Sequence, residues 1–387
     1  MPLAGHAPDE IAAWLRLLQT PGCGRQRARQ LLAAFGSPEG VFAASSVAQR
    51  QIVGEALVQA LRSPPDGLDA LVDATLDWLA HPDHHLLILG DEGYPPGWMH
   101  MPDSPLLLHL HGAPQRLNDR DLIALVGSRH PTASGAALAR EFAAGLGRDG
   151  LGIVSGLAQG IDAAAHLGAL DAGAPTVAVI GTGIDRCYPR QHEALAARIV
   201  AAGGLIVSEH ALGTGPLAPH FPQRNRLIAG LSLGTLVVEA ALQSGSLITA
   251  RLALESNREV FAIPGPIRSP QSRGCHRLIR DGARLVESVE DILEDLRPLR
   301  RAPAPSSSAT DEMPRTAAAA ATTAPDVQDD VSDPILQALG WSPATLDALQ
   351  ARTGWATPQL QARLLELEML EQIVRLPGQI FQRQNRA

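Results

Sequence analysis

The run Leu122-Ile123-Ala124-Leu125-Val126, ending in Gly127-Ser128-Arg129, decides the fold. Five consecutive apolar residues with no polar alternation cannot form a strand with one face in water, so a strand covered on both faces is predicted, as in a parallel sheet. Gly127 then turns the chain into a helix-length stretch. The same order of apolar run, glycine-rich turn and helix-length segment recurs at 151–155, 176–181, 204–208, 235–239 and 259–263. Strands alternating with helices in this way specify an α/β fold built on a doubly wound parallel sheet. Two more apolar runs, at 85–90 and 105–110, are predicted to add edge strands.

Outward from this core, residues 82–298 are expected to form one extended Rossmann-like domain. Toward the N-terminus, Ile11, Trp14, Leu15 and Leu18, then Ala28, Leu31, Leu32 and Phe35, have helical spacing. They predict a small helical domain over 1–75, like a sterile-alpha-motif (SAM) or helix-hairpin-helix domain. Its turn, Pro21-Gly22-Cys23-Gly24, opens a segment with Arg25, Arg27 and Arg29, a hairpin whose free N–H groups could hold a phosphate. Toward the C-terminus, 299–332 is Ala, Pro, Ser, Thr and Asp with almost no large apolar side chain, which predicts a disordered linker. Helical periodicity returns at 333–387 with Ile335, Leu339, Leu346 and Leu349 and ends in a β-like tail, a pattern that fits a winged-helix-like domain.

Composition narrows the function. The formal net charge of −8 argues against indiscriminate attraction to phosphate, so any nucleic-acid site must be local. The 32 basic residues are all arginine. No phosphate-loop lysine, Schiff-base lysine or Ser-Lys dyad is therefore available, and basic side chains can meet a phosphate only through planar guanidinium. Cys23, Cys187 and Cys275 lie far apart and form no CxxC pair, which predicts reduced thiols rather than a zinc clamp. The absence of a leader-like or membrane-spanning run predicts a cytoplasmic protein with no membrane association. No cofactor and no metal are expected.

Ligands of doubly wound sheets bind where strands end, so the residues after each run are the candidates. The first delivers Gly127, Ser128 and Arg129, and the second Ser155-Gly156 through Asp162, a turn entering a helix N-terminus. The third ends in Gly181-Thr182-Gly183, but Arg186 stands where a dinucleotide fingerprint needs its last glycine. After the fourth, Phe221-Pro222-Gln223-Arg224-Asn225-Arg226 sets one of only six phenylalanines beside two arginines, the pairing of ring and guanidinium that holds single-stranded nucleic acid. Gln243-Ser244-Gly245-Ser246 adds a hydroxyl-rich turn.

Taken in order, Gly127-Ser128-Arg129, Ser155-Gly156 through Asp162 with His166, Gly183-Ile184-Asp185 with Tyr188-Pro189, Phe221 through Arg226, Ser244-Gly245-Ser246 with Thr249-Ala250, and Pro264-Gly265 with Gly282-Ala283 resemble the successive signatures of the DprA/Smf family. The resemblance spans about 160 residues. It implies a homodimer without catalytic turnover that binds single-stranded DNA and loads the RecA recombinase in natural transformation. It also makes Arg129 a phosphate contact and Phe221 a base-stacking residue. Arg224, Asn225 and Arg226 would line the pocket, and Ser128, Ser155, Gly156 and Ser246 would give hydroxyl or amide contacts. The family carries lysine around its DNA groove, and here those contacts must be arginine or missing. The five acidic and five basic residues of 333–387 leave double-stranded DNA binding by the C-terminal domain open.

Two other readings remain. Ser232-Leu233-Gly234-Thr235 with Glu239 echoes a LOG-like nucleotide phosphoribohydrolase, although the leading glycine pair is absent and Glu239 is expected to orient Arg224 or Arg226. His81, His84, His85, His100, His109 and His111 could suggest a metal protein, but they lack carboxylates at a fixed spacing.

Overall fold

The computed structural model describes residues 5–99, 101–119 and 121–300, with Ile335, Leu339, Trp355 and the segments 344–353, 357–369, 372–376 and 380–383. The chain divides into two compact units, Met1–Pro305 and Ser306–Ala387.

The first unit is built on nine strands: β1 (His84–Ile88), β2 (Leu107–Gly112), β3 (Leu122–Val126), β4 (Gly152–Ser155), β5 (Thr176–Ile180), β6 (Leu205–Ser208), β7 (Gly234–Val237), β8 (Glu259–Ala262) and β9 (Arg284–Leu285). Their order is β1-β2-β6-β5-β4-β3-β7-β8-β9. From β6 across to β9 all neighbours are parallel, while β1 and β2 extend the sheet as an antiparallel pair beyond β6. Alternate residues of β3 enter two different cores: Leu122, Ala124 and Val126 on one face, Ile123 and Leu125 on the other. That division is why the run shows no polar alternation. The chain builds outward from β3 through β4, β5 and β6, then returns to lay β7 against the other edge of β3. The crevice at the carboxyl ends of β3 and β7 is therefore the topological switch point.

Six helices precede the sheet: α1 (Pro8–Gln19), α2 (Arg25–Phe35), α3 (Pro38–Ala43), α4 (Ser46–Arg50), α5 (Glu55–Leu61) and α6 (Leu68–Leu79). They share one core with Leu86, Ile88, Leu106 and Leu107, so the helical region packs directly on the β1–β2 extension. The others are α7 (Pro96–Met99), α8 (Ala133–Arg148), α9 (Ile161–Asp171), α10 (Glu193–Ala201), α11 (His220–Leu231), α12 (Ser246–Glu255), α13 (Arg273–Arg280) and α14 (Val289–Leu296). Strand β9, two exposed residues long, has no periodicity to betray it in the sequence. Arg300 lies within the span expected to be a linker, yet it donates to Asp121 and to the Asp149 carbonyl. Residues 301–332 of that span lie outside the described residues.

In the second unit, α15 (Leu346–Thr353) and α16 (Thr357–Met369) accompany a small antiparallel sheet of β10 (Ala344–Thr345), β11 (Ile373–Leu376) and β12 (Ile380–Arg383), the winged-helix arrangement. Ile335, Leu339, Leu349, Leu360, Leu364 and Phe381 are buried in its core. No helix of the described residues is long and apolar enough to cross a membrane.

Helices α8 and α9 cross closely enough that a Cβ on Gly168 would collide with the Arg140 carbonyl. Backbone cannot yield as a flexible side chain does. The clash outweighs the gain of about 1 kcal/mol in helix propensity, so Gly168→Ala should destabilise the fold by about 1–3 kcal/mol. The urea-unfolding midpoint reports this, and an unchanged midpoint would contradict the crossing.

Candidate nucleic-acid interface

At the switch point lies a cleft of about 510 Å³. Its first wall is the exit of β3. Ser128 N–H donates to the Glu239 carbonyl at 2.7 Å, and the Ser128 carbonyl accepts from Ile161 N–H at 3.1 Å. The chain thus threads between the end of β7 and the start of α9. Gly127 is required there, because a Cβ would enter both the Ile161 side chain and the Glu239 carbonyl. Two helices, α9 and α12, begin at the cleft, and their first-turn N–H groups and dipoles favour an anion. Ser244 and Ser246 share a hydroxyl–hydroxyl hydrogen bond of 2.7 Å at the start of α12.

Arg129 is exposed, and its guanidinium stands 5.3 Å from the centre of the Phe221 ring. Tyr188, 45% exposed, lies 5.5 Å from Phe221 on the other side of a smaller recess that Gly156 and Gln159 also line. Two accessible rings and one guanidinium therefore form a continuous surface. Tyr188 stands in one of the motifs that carry the family resemblance but was not among the expected site residues; it is one of two tyrosines in the chain. Gln271, which donates to the His130 carbonyl at 3.1 Å and lines the cleft, carried no signal at all.

Arg224 is turned inward and only 5% exposed. It donates to the carbonyls of Gly156 and Val179 and to Asn225 Oδ1, and it lies 3.9 Å from Asp162. Asp162 in turn accepts from Gly156 N–H at 3.1 Å. Burial lowers Arg224 to about 10, opposed by the Asp162 charge, so it remains a cation at neutral pH. Burial pushes the Asp162 carboxyl up, opposed by Arg224 and by the amides of Ala158 and Gly156. The two charges compensate each other beneath the cleft. A Cβ at Gly156 would overlap the guanidinium, so the turn after β4 and the arginine fit only as a pair.

Gly127, Ser128, Arg129, Asp162, Phe221, Arg224, Asn225 and Ser246 come together around the cleft, with Gly156 in the adjoining recess. Two expected residues do not join them. Ser155 is fully buried, and its hydroxyl donates to the Leu125 carbonyl at 2.6 Å, tying β4 to β3. Arg226 leaves the opposite side of α11, because residues two apart on a helix do not share a face. Its guanidinium meets Asp103 at 3.1 Å and Glu209 at 2.5 Å, and Arg25 binds the same two carboxylates from α2. Glu239 orients neither arginine: it accepts from Thr132 N–H at 2.9 Å and Thr132 Oγ1 at 2.6 Å, bracing the loop that carries Arg129. Among the described residues no group of His, Cys, Asp and Glu is placed to hold a metal ion, and His84 stacks instead on Trp78 at 4.2 Å.

These features define a doubly wound protein of the Rossmann-like class whose cleft suits an anion flanked by rings and lacks the dinucleotide and phosphate-loop fingerprints. The model of the DNA recombination-mediator protein A family matches residues 85–297, and that of the DprA winged helix domain matches 317–379. Protein Smf of Escherichia coli strain K12 is 43% identical over 312 residues, 79% of each chain. DNA processing protein DprA of Streptococcus pneumoniae is 46% identical over 205 residues, covering 53% of this chain and 72% of its own. The X-ray structure of the Streptococcus pneumoniae protein aligns with a TM-score of 0.64 at 36% identity, covering 76% of this chain and 99% of that one. A Helicobacter pylori DprA structure, described for its single-stranded DNA binding mode, aligns with a TM-score of 0.51 at 28% identity, covering 57% of this chain and 99% of that one. The chain belongs to the DprA/Smf family of DNA-processing proteins.

Removing one charge of the buried pair exposes the cost of the other. Asp162→Asn should lower stability by about 3–5 kcal/mol, because it leaves a buried guanidinium without its counter-ion. Urea unfolding checks this, and a wild-type midpoint would show that the backbone carbonyls alone hold Arg224.

Proposed function

We propose that the protein binds single-stranded DNA in the switch-point cleft and presents it to the RecA recombinase during natural transformation, without catalytic turnover. The observation that carries this reading is the exposed Arg129 guanidinium above the Phe221 ring, between two helix N-termini. A strand offers the cleft a phosphate for the guanidinium and a base face for the ring, and such a stack is worth roughly 1–3 kcal/mol. Gly127 supplies a backbone amide, Ser128 and Ser246 hydroxyls and Asn225 a side-chain amide, while Gly156 acts by holding Asp162 and Arg224 in place. Asp162 and Arg224 hold the walls, while Ser155 and Arg226 act through the frame rather than on the strand.

Positive charge concentrated at one cleft is how a chain of net charge −8 holds a polyanion. The single-stranded DNA binding mode described for the Helicobacter pylori relative supports the ligand class. The brace from Glu239 to Thr132 supports a binding role over phosphoribohydrolase chemistry, because the glutamate is engaged in holding a loop. Homodimerisation, cytoplasmic location and contact of the C-terminal unit with double-stranded DNA complete the reading that family membership suggests.

Arg129→Ala should weaken binding to an oligothymidylate and flatten the log–log salt dependence by about 0.7, as the loss of one single-strand phosphate contact does. Phe221→Ala should weaken binding by about 1–3 kcal/mol with the slope unchanged, because stacking releases few counterions. Wild-type affinity in both variants, with the fold intact, would overturn the proposal.

A further inference from the structure

A larger cavity, about 1210 Å³, lies on the other side of α11, between α2 and the exit of β6. Helix α11 is the wall common to both cavities. Phe221, Pro222, Arg224 and Asn225 line the switch-point cleft, whereas His220 and Gln223 line the larger groove. The first turn of α11 thus contributes side chains to both cavities.

Its lining mixes apolar side chains, Leu15, Leu18, Leu106 and Leu107, with polar ones, and carries a local excess of positive charge from Arg25, Arg27 and Arg29 over Asp103 and Glu209. Asp103 and Glu209 are its only carboxylates among the described residues, and each is engaged by both Arg25 and Arg226. Two guanidiniums on the α2 rim are left without an acidic partner: Arg27 donates to the Gly22 carbonyl, and Arg29 to the carbonyls of Met101 and Pro102. Between them and the sheet, His210 and His220 stack with ring centres 3.9 Å apart and planes 15° from parallel. Burial, with neighbouring His220 and Arg25, lowers His210 to about 4, so that ring is neutral at physiological pH. His220 Nδ1 and one Arg226 terminal nitrogen are buried without a hydrogen-bond partner among the described residues, and His220 lines the groove. Buried polar atoms are normally satisfied, so a pair of exceptions beside a cavity marks a place where a polar ligand or water belongs.

We propose that this groove is a second subsite for single-stranded nucleic acid, taking the sugar–phosphate backbone of the strand as it leaves the switch-point cleft, with Arg27 and Arg29 as its phosphate contacts. The assignment rests on the reading of the cleft given above. It accounts for the arginine-rich helix that follows the glycine turn, and it makes the footprint on the strand longer than the cleft alone would give.

The test compares oligothymidylates of about 6 and about 25 nucleotides, lengths on either side of a typical single-strand site. Binding to the full-length protein is followed by fluorescence anisotropy over a range of salt concentrations. Arg27→Glu and Gln26→Glu should each weaken binding of the long oligonucleotide by about tenfold, and Arg27→Glu should flatten its log–log slope by at least about 0.7, with the short one unaffected. Gln26→Glu adds a negative charge to the first turn of α2, which favours the helix, so its loss of binding cannot be ascribed to unfolding. Arg148→Glu, at the opposite end of α8, controls for net charge. Unchanged long-strand binding in both groove variants, or an equal loss in Arg148→Glu, would overturn the subsite. Arg129→Ala distinguishes the two readings: normal short-strand binding in that variant removes the cleft, whereas a short-strand defect beside silent groove variants removes the groove alone.

Discussion

A single buried guanidinium sets the geometry of the cleft. Arg224 reaches from α11 to the carbonyls that end β4 and β5, with Asp162 as counter-charge. Taking two such charges out of water is expensive, and the arrangement is tolerable only because the guanidinium and carboxylate also find hydrogen-bond partners among backbone groups. The result is a pin that fixes the start of α11 against two strand ends at once. Phe221, three residues earlier on that helix, is thereby held where the chain leaves β3.

The opposite wall is fixed without charge. Gly127 and Gly160 let the β3 exit, the β7 exit and the start of α9 approach within backbone contact, and Gly160 takes a positive φ of 82° that a side chain would resist. Two helix N-termini then converge on the cleft with little room to move. Arg129 itself is exposed, but its loop is not free, since the Glu239 carboxylate holds Thr132 just beyond it. Preorganised amides and hydroxyls around one exposed guanidinium suit an anionic ligand.

The sheet was legible because its information is local. The run at β3 is apolar throughout and that at β5 is apolar after Thr176, the pattern of strands buried on both faces. The meeting of Gly127, Arg129 and Phe221 at one cleft was legible for a related reason: they stand directly after a strand or at a helix start, where sequence order still tracks space. Arg226 shows the limit, because the motif Arg224-Asn225-Arg226 reads as one basic cluster until helical phase sends its two arginines to opposite sides of α11. The partner of Glu239 could not be read either, since Thr132 is 107 residues away. The α2 groove rests on the same kind of long-range meeting, between α2 and the exit of β6, which composition and spacing do not encode.

The brace between Glu239 and Thr132 reaches further than its two residues. A Cβ on Gly135, in the first turn of α8, would occupy the space that the Glu239 carboxylate fills. Position 135 does not line the cleft, yet a side chain there displaces the brace and loosens the loop that carries Arg129. In a collection of natural or random variants, changes at this glycine would therefore disturb the cleft from outside it, and a map drawn from such phenotypes alone would extend the cleft by one helix turn.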